Sequence, residues 1–356
     1  MRTRVRPYLA DTGYVYAEQP GAIAARYGFD RVARLASNEN PFGPSPAALE
    51  AARAALVEAH RYPDASMTAL RAALAAAHGD RPAVVGNGMD GVIETVLRVF
   101  CEAGDRVAVS TPTFSFYGLA ARAQGAVVSN VPRRDDFGVD AGEFSDTCRG
   151  ARVAFLCTPN NPTGTGTSVE DVRAIAESIG DCLLFLDNAY VEFSDRDYLP
   201  LLDDCENLVI GRTFSKIYGL AGLRVGYALL PEWLLPAYCR AATPFSGLSS
   251  VSAAAAVAAL GDSAHVERTR AHVLEWRARL EAGSPLPCAP SEANFLMVDV
   301  APLGSDKAVT ALARAGVLAR SCRSFPDLAD HYLRVSVGAD WENERLLSAL
   351  RALLSA

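Results

Sequence analysis

The chain has 356 residues, of which 50% are hydrophobic and 21% are charged, and its net charge at pH 7 is −7. This composition is typical of a globular protein of about two domains, whose core needs no metal or disulfide for stability. The scattered, mildly acidic charge argues against nucleic acid or an anionic membrane as the main partner.

The cysteines and histidines show no metal or redox motif. The eight cysteines include no Cys-x-x-Cys pair, and the five histidines form no ligand pattern, so we predict no metal site. Cysteines in apolar runs indicate reduced thiols and a cytoplasmic setting. Residues 1–8 carry charge without a following apolar region, unlike a signal peptide. The uncharged stretch 241–261 contains Pro244 and is predicted to be a turn with a buried helix, not a membrane span.

Short apolar runs of the β type alternate with helical patterns through most of the chain. The predicted strands are Ala83–Val85, Arg106–Val109, Val153–Cys157, Leu183–Leu186, Leu208–Ile210 and Val225–Leu229. Helices are predicted near 91–101, 116–124 and 168–179, the last with Ser168 as its N-cap and Asp171 in its first turn. Such alternation predicts an α/β fold with a mainly parallel sheet covered by helices.

The pattern changes after about residue 250. A long helical stretch is followed by strand and helix candidates in a mixed order, over residues 253–281, 294–300, 306–315, 317–320, 332–337 and 341–354. This order indicates a smaller α+β domain. We therefore predict a large domain over 37–250, and a second unit made of the N-terminal arm 1–36 with residues 251–356.

Polar segments directly follow five of the predicted strands. Because ligands bind at the carboxyl ends of strands in open α/β sheets, we expect these segments to converge on one rim. They are Gly86-Asn-Gly88, Thr111-Pro-Thr-Phe114, Thr158-Pro-Asn-Asn-Pro-Thr-Gly164, Asp187-Asn-Ala-Tyr190 and Thr213-Phe-Ser-Lys216.

The glycine-rich segment 86–91 reads Gly-x-Gly-x-x-Gly, the pattern of a dinucleotide-binding turn. That interpretation requires an acidic residue at the end of the next strand, where the chain has Ser110-Thr-Pro-Thr-Phe114 instead. A nucleotide-dependent oxidoreductase is therefore a weak alternative. The glycines remain suited to bring backbone N–H groups close to an anion at a helix N-terminus.

Lys216 lies in a mostly apolar segment, with Thr213 and Ser215 before it and Arg224 after it. A buried lysine is unusual, and imine formation with an aldehyde would explain it, because desolvation lowers the pKa of the amine and makes it nucleophilic. The two hydroxyls and the arginine then suit a phosphate. The alternative is a surface lysine near a structural arginine.

The combined motifs resemble fold-type I pyridoxal 5′-phosphate (PLP)-dependent aminotransferases, and within them the histidinol-phosphate aminotransferase family. The resemblance covers nearly the whole chain. The matching stretches are Leu35-Ala-Ser-Asn-Glu-Asn-Pro-Phe-Gly-Pro44, Arg61-Tyr-Pro-Asp64, Gly86-Asn-Gly88, Pro112-Thr-Phe114, Pro159-Asn-Asn-Pro-Thr-Gly164, Asp187, Ala189-Tyr190, 212–226, Ala293-Asn-Phe295 and Leu333-Arg-Val-Ser-Val-Gly338.

The resemblance implies roles for four residues around the cofactor ring. Lys216 would form the Schiff base with PLP and then move a proton between the substrate Cα and the C4′ carbon. Asp187 would pair with the pyridine nitrogen and make the ring an electron sink. Asn161 and Tyr190 would hydrogen-bond the ring oxygen O3′. From the residues alone, the less favoured alternative for Asp187 is a helix-capping acid, and the other two could be turn or core residues.

The remaining cofactor contacts implied by the resemblance concern the ring face and the phosphate. Phe114 would stack on the ring, although core packing would also explain an aromatic residue there. The phosphate would be bound by the backbone N–H groups of Gly88 and Met89 and by the side chains of Thr213, Ser215 and Arg224.

The resemblance also implies substrate contacts and a homodimer. Arg334 matches the arginine that binds the α-carboxylate, and Arg320 matches one associated with a distal phosphate, as bidentate arginine geometry allows. Asn40 belongs to the same substrate group. Tyr62 matches a tyrosine that reaches the neighbouring subunit's cofactor site. A surface arginine at 320 and a locally packed tyrosine at 62 are the alternatives.

The implied function is transamination in a ping-pong cycle, with L-histidinol phosphate and 2-oxoglutarate as the leading pair. Three local departures from the family pattern keep alternatives open: Asn188 in place of Glu, 89–91 as Met-Asp-Gly, and 320–325 with Ser321 and Arg323. The alternatives are a paralogue that transaminates an aromatic amino acid or a specialised-metabolite precursor, a PLP-dependent decarboxylase or lyase, and an inactive PLP-fold binding or regulatory protein.

Overall fold

The computed structural model describes residue 13 and residues 15–354. Its strands are β1 (Ala33–Arg34), β2 (Ala83–Asn87), β3 (Arg106–Thr111), β4 (Val127–Pro132), β5 (Val153–Cys157), β6 (Leu183–Asp187), β7 (Leu208–Thr213), β8 (Val225–Leu229), β9 (Phe295–Asp299), β10 (Val317–Leu318), β11 (Arg320–Ser321) and β12 (Tyr332–Ser336). The charged segment 1–8 interpreted above lies outside the described residues.

The helices alternate with these strands as the sequence predicts. They are α1 (Pro20–Tyr27), α2 (Pro46–Ala55), α3 (Thr68–Ala77), α4 (Gly88–Phe100), α5 (Phe116–Gln124), α6 (Ala141–Cys148), α7 (Val169–Ser178), α8 (Leu201–Asp204), α9 (Leu235–Ala241), α10 (Ser250–Leu260), α11 (Ser263–Gly283), α12 (Ser305–Arg314) and α13 (Asp340–Leu353).

A seven-stranded sheet forms the centre of the molecule, in the order β2-β8-β7-β6-β5-β3-β4. The pairs from β7 through β6, β5 and β3 to β4 are parallel, whereas β8 is antiparallel to both β7 and β2. Only residues 214–224 separate β7 from β8, and they contain no helix long enough for a crossover, so the chain returns in the opposite direction. The predicted mainly parallel α/β sheet is confirmed.

The two central strands are buried on both faces, which explains their continuous apolar sequences. Every residue of β5 and β6 is buried. Phe155 and Phe185 pack toward α4 and α5, while Leu156 and Leu186 pack toward α6 and α7. The helices on both faces thus leave only the strand ends open for ligands.

A smaller antiparallel sheet, in the order β11-β12-β9, packs with α11, α12 and α13. The N-terminal strand β1 pairs in parallel with β10, so this part of the arm contacts the C-terminal part of the chain. Helix α10 instead packs with α2 and α3 in one apolar cluster. We therefore propose that the boundary between the two units lies after α10 rather than at residue 250.

No helix in the described part of the chain is long and apolar enough to cross a membrane. All eight cysteines lie in that part, and all are free thiols.

Candidate active site

A cavity of about 540 Å³ opens where the carboxyl ends of the parallel strands meet the smaller sheet. The convergence expected from the strand-end segments is therefore present. The predicted residues that line the cavity are Met89, Phe114, Asn161, Asp187, Tyr190, Thr213, Ser215, Lys216, Arg224, Arg320 and Arg334. Residues that line it without having been predicted include Tyr16, Asn38, Glu39, Asp90 and Cys157.

Lys216 follows β7 and presents its amine to the middle of the cavity. The Nζ donates to the carbonyl of Ser37 at 3.2 Å and lies 5.6 Å from the centroid of the Tyr190 ring. Burial, followed by the positive charge of Arg334, lowers the pKa of this amine from 10.5 to about 8. A substantial fraction of the amine is therefore uncharged, and nucleophilic, just above neutral pH.

Asp187 ends β6 as a buried carboxylate that faces the same cavity. Its Oδ2 accepts from the hydroxyl of Tyr117 at 2.6 Å, and its Oδ1 accepts from the N–H of Ala189 at 2.9 Å. Burial raises the pKa of Asp187 from 3.8 to about 6, although the hydrogen bond from Tyr117 acts in the opposite direction. Without a cationic ligand beside it, this carboxylate is costly to ionise.

Tyr117 is the contact of Asp187 that the sequence reasoning missed. It lies on the first turn of α5, three residues after Phe114, and its ring stacks on Phe155 with centroids 4.8 Å apart. The signal in the sequence was a tyrosine, an aromatic residue with a hydroxyl, shortly after the strand-end segment 111–114. Its contact with Asp187 spans 70 residues of chain and required the three-dimensional fold.

Two buried arginines lie side by side at the end of the cavity formed by the smaller sheet. Arg320 on β11 and Arg334 on β12 are directly opposite in the strand register, and both are less than 9% exposed. Arg334 donates to the Oδ1 of Asn161 and, at 2.7 Å, to the carbonyl of Ala36. No carboxylate of the described residues lies within ion-pair distance of Arg334. Two like charges in this position favour an anionic ligand.

The opposite end of the cavity combines hydroxyls, a helix N-terminus and an arginine. Thr213 donates through Oγ1 to the Oγ of Ser215 at 3.0 Å, and Arg224 donates to the Oδ2 of Asp90 at 2.8 Å. The first-turn N–H groups of α4 have no partner within the helix, which favours an anion such as a phosphate. The N–H of Gly88 is an exception, because it donates to the carbonyl of Arg224 at 2.8 Å.

Gly88 consequently has a different role from the one the sequence suggested. Its N–H is already used, so this geometry does not support the predicted contact of that group with phosphate. The residue has φ +67°, and a Cβ would lie 2.4 Å from the Nη2 of Arg224. A glycine at this position is what allows the guanidinium to lie against the start of α4.

Two further predicted residues do not line the cavity. Asn40 donates its amide to the carbonyls of Lys216 at 3.2 Å and Ile217 at 2.8 Å, so it supports the lysine segment from outside. Its substrate contact is not supported by this geometry. Tyr62 is 85% exposed and stacks on Phe245 with ring centroids 4.9 Å apart. Its predicted contact with a second subunit stays a prediction.

Most of the departures from the family pattern fall outside the cavity. Asn188 is buried and donates to the carbonyl of Thr158 at 2.8 Å. Arg323 forms an ion pair with Asp306 at 2.7 Å on the surface. Of the altered positions only Met89 lines the cavity. Its neighbour Asp90, which matches the family pattern, lines the cavity too. The changes therefore leave the two cavity arginines in place.

The residues present fit PLP. The amine of Lys216 suits the aldehyde, the buried carboxylate of Asp187 suits a protonated ring nitrogen, and the start of α4 with Arg224 suits the phosphate. Gly226 on β8 allows the backbone to lie close to the start of α4, since a Cβ there would lie 2.3 Å from the carbonyl carbon of Gly88.

A family model described as aminotransferase class I and II matches residues 30–353. The chain belongs to this aminotransferase family. It is 61% identical to the histidinol-phosphate aminotransferase of Methanosphaerula palustris and 60% identical to that of Methanoculleus marisnigri, each match covering 99% of this chain and 100% of the relative. The predicted family, the PLP cofactor and the aminotransferase class of activity are confirmed.

Solved structures of aminotransferases share the fold. The histidinol-phosphate aminotransferase of Sinorhizobium meliloti in complex with pyridoxal-5′-phosphate is 30% identical, with a TM-score of 0.88 over 100% of this chain and 98% of that chain. An L-threonine-O-3-phosphate decarboxylase from Porphyromonas gingivalis has a TM-score of 0.79 at 21% identity, over 91% of this chain and 100% of that chain. At that identity the second likeness shows the fold alone.

Proposed function

We propose that this aminotransferase transfers the amino group of L-histidinol phosphate to 2-oxoglutarate, the histidine-biosynthesis type of transamination that its relatives' names indicate. The observation that carries the proposal is the buried pair Arg320 and Arg334 at the substrate end of the cavity, in a chain that is 54–61% identical over its length to proteins of that name. Both substrates carry anionic groups that such a pair can bind.

Lys216 is the residue that we assign to the reacting atoms. Bound PLP supplies an aldehyde that accepts the amino group and a ring that takes up electrons. The lowered pKa of the Lys216 amine increases the unprotonated fraction near neutral pH, and this fraction could attack the aldehyde. Once displaced by substrate, the same amine can take a proton from the substrate Cα and return it at C4′.

Asp187 and Tyr117 act at the ring nitrogen. Asp187 accepts hydrogen bonds on both oxygens, from Tyr117 and from the N–H of Ala189, so its orientation is fixed before any ligand binds. A cationic ring nitrogen would offset the burial that raises the pKa of this carboxyl. The pair would then keep the ring nitrogen protonated during turnover.

Asn161, Tyr190 and Phe114 orient the ring between these groups. Asn161 accepts from Arg334, which links the cofactor end of the cavity to the substrate end. Tyr190 is held by an edge-to-face contact with Phe295, with ring centroids 5.1 Å apart. Phe114 makes a similar contact with Tyr117 at 5.5 Å, and its ring can therefore cover one face of the cofactor.

Phosphate binding is assigned to Thr213, Ser215, Arg224 and the first-turn N–H of Met89. The ion pair of Arg224 with Asp90 holds the guanidinium at this end of the cavity, and burial raises the pKa of Asp90. A phosphate would add two negative charges beside that pair. We expect Asp90 to share Arg224 with the phosphate or to take up a proton when PLP binds.

A homodimer in the cytoplasm is the proposed state of the protein. Exposed apolar side chains occur within a short segment of the large unit, residues 56–62, with Leu56 57% exposed, Val57 75% and Tyr62 85%. A surface of this kind favours burial against a second copy of the chain, which would bring Tyr62 toward the partner's cofactor. The free thiols support a reducing compartment.

The substrate assignment is tested with purified enzyme, PLP and a panel of amino donors. L-Histidinol phosphate with 2-oxoglutarate should give glutamate at a higher kcat/KM than aromatic amino acids, histidinol without phosphate or aspartate. Higher efficiency with an aromatic donor would replace the proposal by the paralogue alternative. Carbon dioxide release from a phospho-amino acid, without glutamate, would replace it by decarboxylation.

Lys216→Ala is the matched control for this panel. We expect it to abolish multiple turnovers, while PLP still binds through its phosphate contacts. Substantial turnover by Lys216→Ala would contradict the assignment of this lysine.

A further inference from the structure

A buried hydrogen-bond network connects Asn38, in the segment before α2, to Tyr190 beside Lys216. The Nδ2 of Asn38 lies 3.1 Å from the hydroxyl of Tyr190, and its Oδ1 lies 3.1 Å from the Oγ of Ser336. The backbone N–H of Asn38 donates to the same Oγ at 2.8 Å, and Asn294 donates to the Asn38 carbonyl at 3.2 Å. Asn38, Ser336 and Asn294 are each at most 1% exposed, so water does not compete for these groups.

The Asn38 amide lies with its Oδ1 toward Ser336 and its Nδ2 toward Tyr190. The Ser336 hydroxyl can donate to this Oδ1 at 3.1 Å or to the carbonyl of Leu35 at 3.0 Å, since a carbonyl that accepts the backbone N–H of Ser336 has a second lone pair. The NH₂ group of the amide then faces Tyr190 and donates to the phenol oxygen.

This polarity has a consequence for the hydrogen of Tyr190. A phenol oxygen that accepts a hydrogen bond from Asn38 does not donate to it, so the Tyr190 hydrogen is directed elsewhere. Tyr190 lines the cavity, and the open direction is into it. If the amide were reversed, Tyr190 would donate to Asn38 and would present only an acceptor to the cavity.

The backbone at this position also suits asparagine. Asn38 has φ +54°, in the left-handed region that most residues avoid and that asparagine adopts more readily. The strained backbone is held by the contacts with Ser336 and Asn294. A residue is thus kept in an unusual conformation where its side chain reaches a cavity tyrosine.

We propose that Asn38 is a positioning residue that keeps the hydroxyl hydrogen of Tyr190 directed toward the ring oxygen of bound PLP. The proposal rests on the proposed function, in which Tyr190 binds that oxygen. Asn38 acts through Tyr190 and is therefore distinct from the groups assigned to the reacting atoms. The proposal goes further than the assignment of Tyr190, since it explains how the donor direction of that residue is set.

The ionisable groups around Tyr190 are compatible with a donor role. Burial raises the pKa of the phenol, the charge of Arg334 and the hydrogen bond from Asn38 lower it, and Cys157 and Asp187 raise it. The Lys216 amine also faces the Tyr190 ring, at 5.6 Å from its centroid. Since burial is the largest of these effects, Tyr190 keeps its hydrogen at neutral pH.

The test uses the pH titration of the visible absorbance of PLP bound to the full-length enzyme. A donor to the ring oxygen stabilises its anionic form and lowers the midpoint of that titration. Asn38→Gly removes the amide and tolerates the positive φ. We expect it to raise the midpoint by roughly 0.3 to 1 pH unit, the size of one neutral hydrogen bond. In a Tyr190→Phe background the same change should have no effect.

Several outcomes would overturn the proposal. A lower midpoint in Asn38→Gly would mean that Asn38 holds the Tyr190 hydrogen, as in the reversed amide. An equal shift with and without the Tyr190 hydroxyl would mean that Asn38 does not act through it. Asn294→Ala removes a hydrogen bond to the Asn38 backbone and leaves its amide, so an equally large shift there would indicate general loosening.

A second variant tests the same effect in case Asn38→Gly fails to fold, and the wild-type enzyme tests the proposed function separately. Ser336→Ala removes the hydroxyl that contacts both the backbone N–H and the side-chain Oδ1 of Asn38. It should raise the midpoint in the same way when Tyr190 is present. If wild-type enzyme showed no PLP absorbance that depends on Lys216, the proposed function itself would fail. A normal wild-type titration with no coupling between Asn38 and Tyr190 would remove only the present inference.

Discussion

Asp187 makes the stability of the cofactor-free protein depend on pH in a defined direction. Its pKa is raised from 3.8 to about 6, so between these values the folded protein holds a proton that the unfolded chain has lost. The free energy of unfolding therefore falls as pH rises from about 4 to about 6, by about 3 kcal/mol from this residue. The contribution is constant at higher pH.

Asp187→Asn isolates this effect from the other carboxyls. The amide is neutral at every pH and can still accept from Tyr117. We expect chemical denaturation of the cofactor-free variant to show a stability gain over wild type that grows from pH 4 to pH 6. The same variant should lose roughly 10²–10⁴-fold in kcat, since breaking a buried charge pair costs about 3–5 kcal/mol. A gain that is independent of pH would contradict the raised pKa.

Gly88 offers a second test at the level of single residues. In Gly88→Ala the new Cβ would meet the guanidinium of Arg224 at 2.4 Å, in a backbone conformation with φ +67°. Displacement of Arg224 removes a charge-assisted hydrogen bond to the phosphate, so PLP affinity should fall roughly 10–100-fold. Titration of cofactor-free protein with PLP measures this directly.

Gly91→Ala is the matched control for that variant. It lies in the same helix, where the nearest heavy atom to a new Cβ is 3.4 Å away. An alanine there should preserve PLP affinity and favour the helix slightly. Equal losses in the two variants would mean that the start of α4 is sensitive to any substitution and that Arg224 is not the reason.

At the scale of elements, helix α7 shows that a local sequence signal is sufficient for a helix start. Ser168 accepts from the N–H of Asp171 at 3.0 Å and donates to its carboxylate at 2.7 Å, as predicted for an N-cap. Ser168→Ala should lower the free energy of unfolding by about 1 kcal/mol. Aminotransferase activity should be unchanged, because neither Ser168 nor any residue of α7 lines the cavity.

Ser178→Ala at the other end of α7 is the control for this cap. Its hydroxyl donates to the carbonyl of Ala174 at 2.7 Å. This carbonyl lies inside the helix, where backbone N–H groups already act as hydrogen-bond donors to it. We expect a change in the free energy of unfolding of less than about 0.5 kcal/mol. Thermal or denaturant unfolding of the two variants side by side measures the difference.

Strand prediction succeeded for the buried strands and failed for β4, the exposed edge strand of the large sheet. The predicted bounds of β5 agree with the structure, and β6 extends one residue further, to Asp187. These strands are buried on both faces, so their apolar runs are continuous. Strand β4 was not predicted, because it lies at the edge and only Val131 of its six residues is buried. An exposed edge strand such as β4 has no such run to mark it.

At the scale of the whole molecule, the proposed dimer can be tested by subunit mixing. Wild-type protein should sediment at twice the 37.8 kDa of the chain. Tyr62→Ala and Lys216→Ala should each lower activity, the second to background. A mixed dimer has one site with both residues intact if Tyr62 reaches across the interface, so mixing should restore activity. Activity that does not recover, although mixed dimers form, would place Tyr62 in its own subunit's function.

The sequence alone determined the fold class, the family and most of the cavity residues. Three cavity residues lie at or shortly after the end of a strand, namely Lys216, Asp187 and Asn161. The ends of parallel strands necessarily meet at one edge of the sheet. Local patterns are enough to find such residues, because strand, turn and side chain are adjacent in the chain. The contacts predicted for Asn40 and for the N–H of Gly88 are not supported by this geometry, because both groups bind partners elsewhere in the fold.

Only the tertiary structure decided which distant residues support these groups. Tyr117 meets Asp187 across 70 residues, and Asn38 meets Ser336 across 298. The register of β11 against β12 likewise places Arg320 beside Arg334. Such contacts depend on how separate elements pack, and a local pattern of apolar and polar residues carries no information about them. Lys216, Asp187 and the glycine-rich segment 86–91 can therefore be predicted from the sequence. The orientation of their functional groups is a property of the folded molecule.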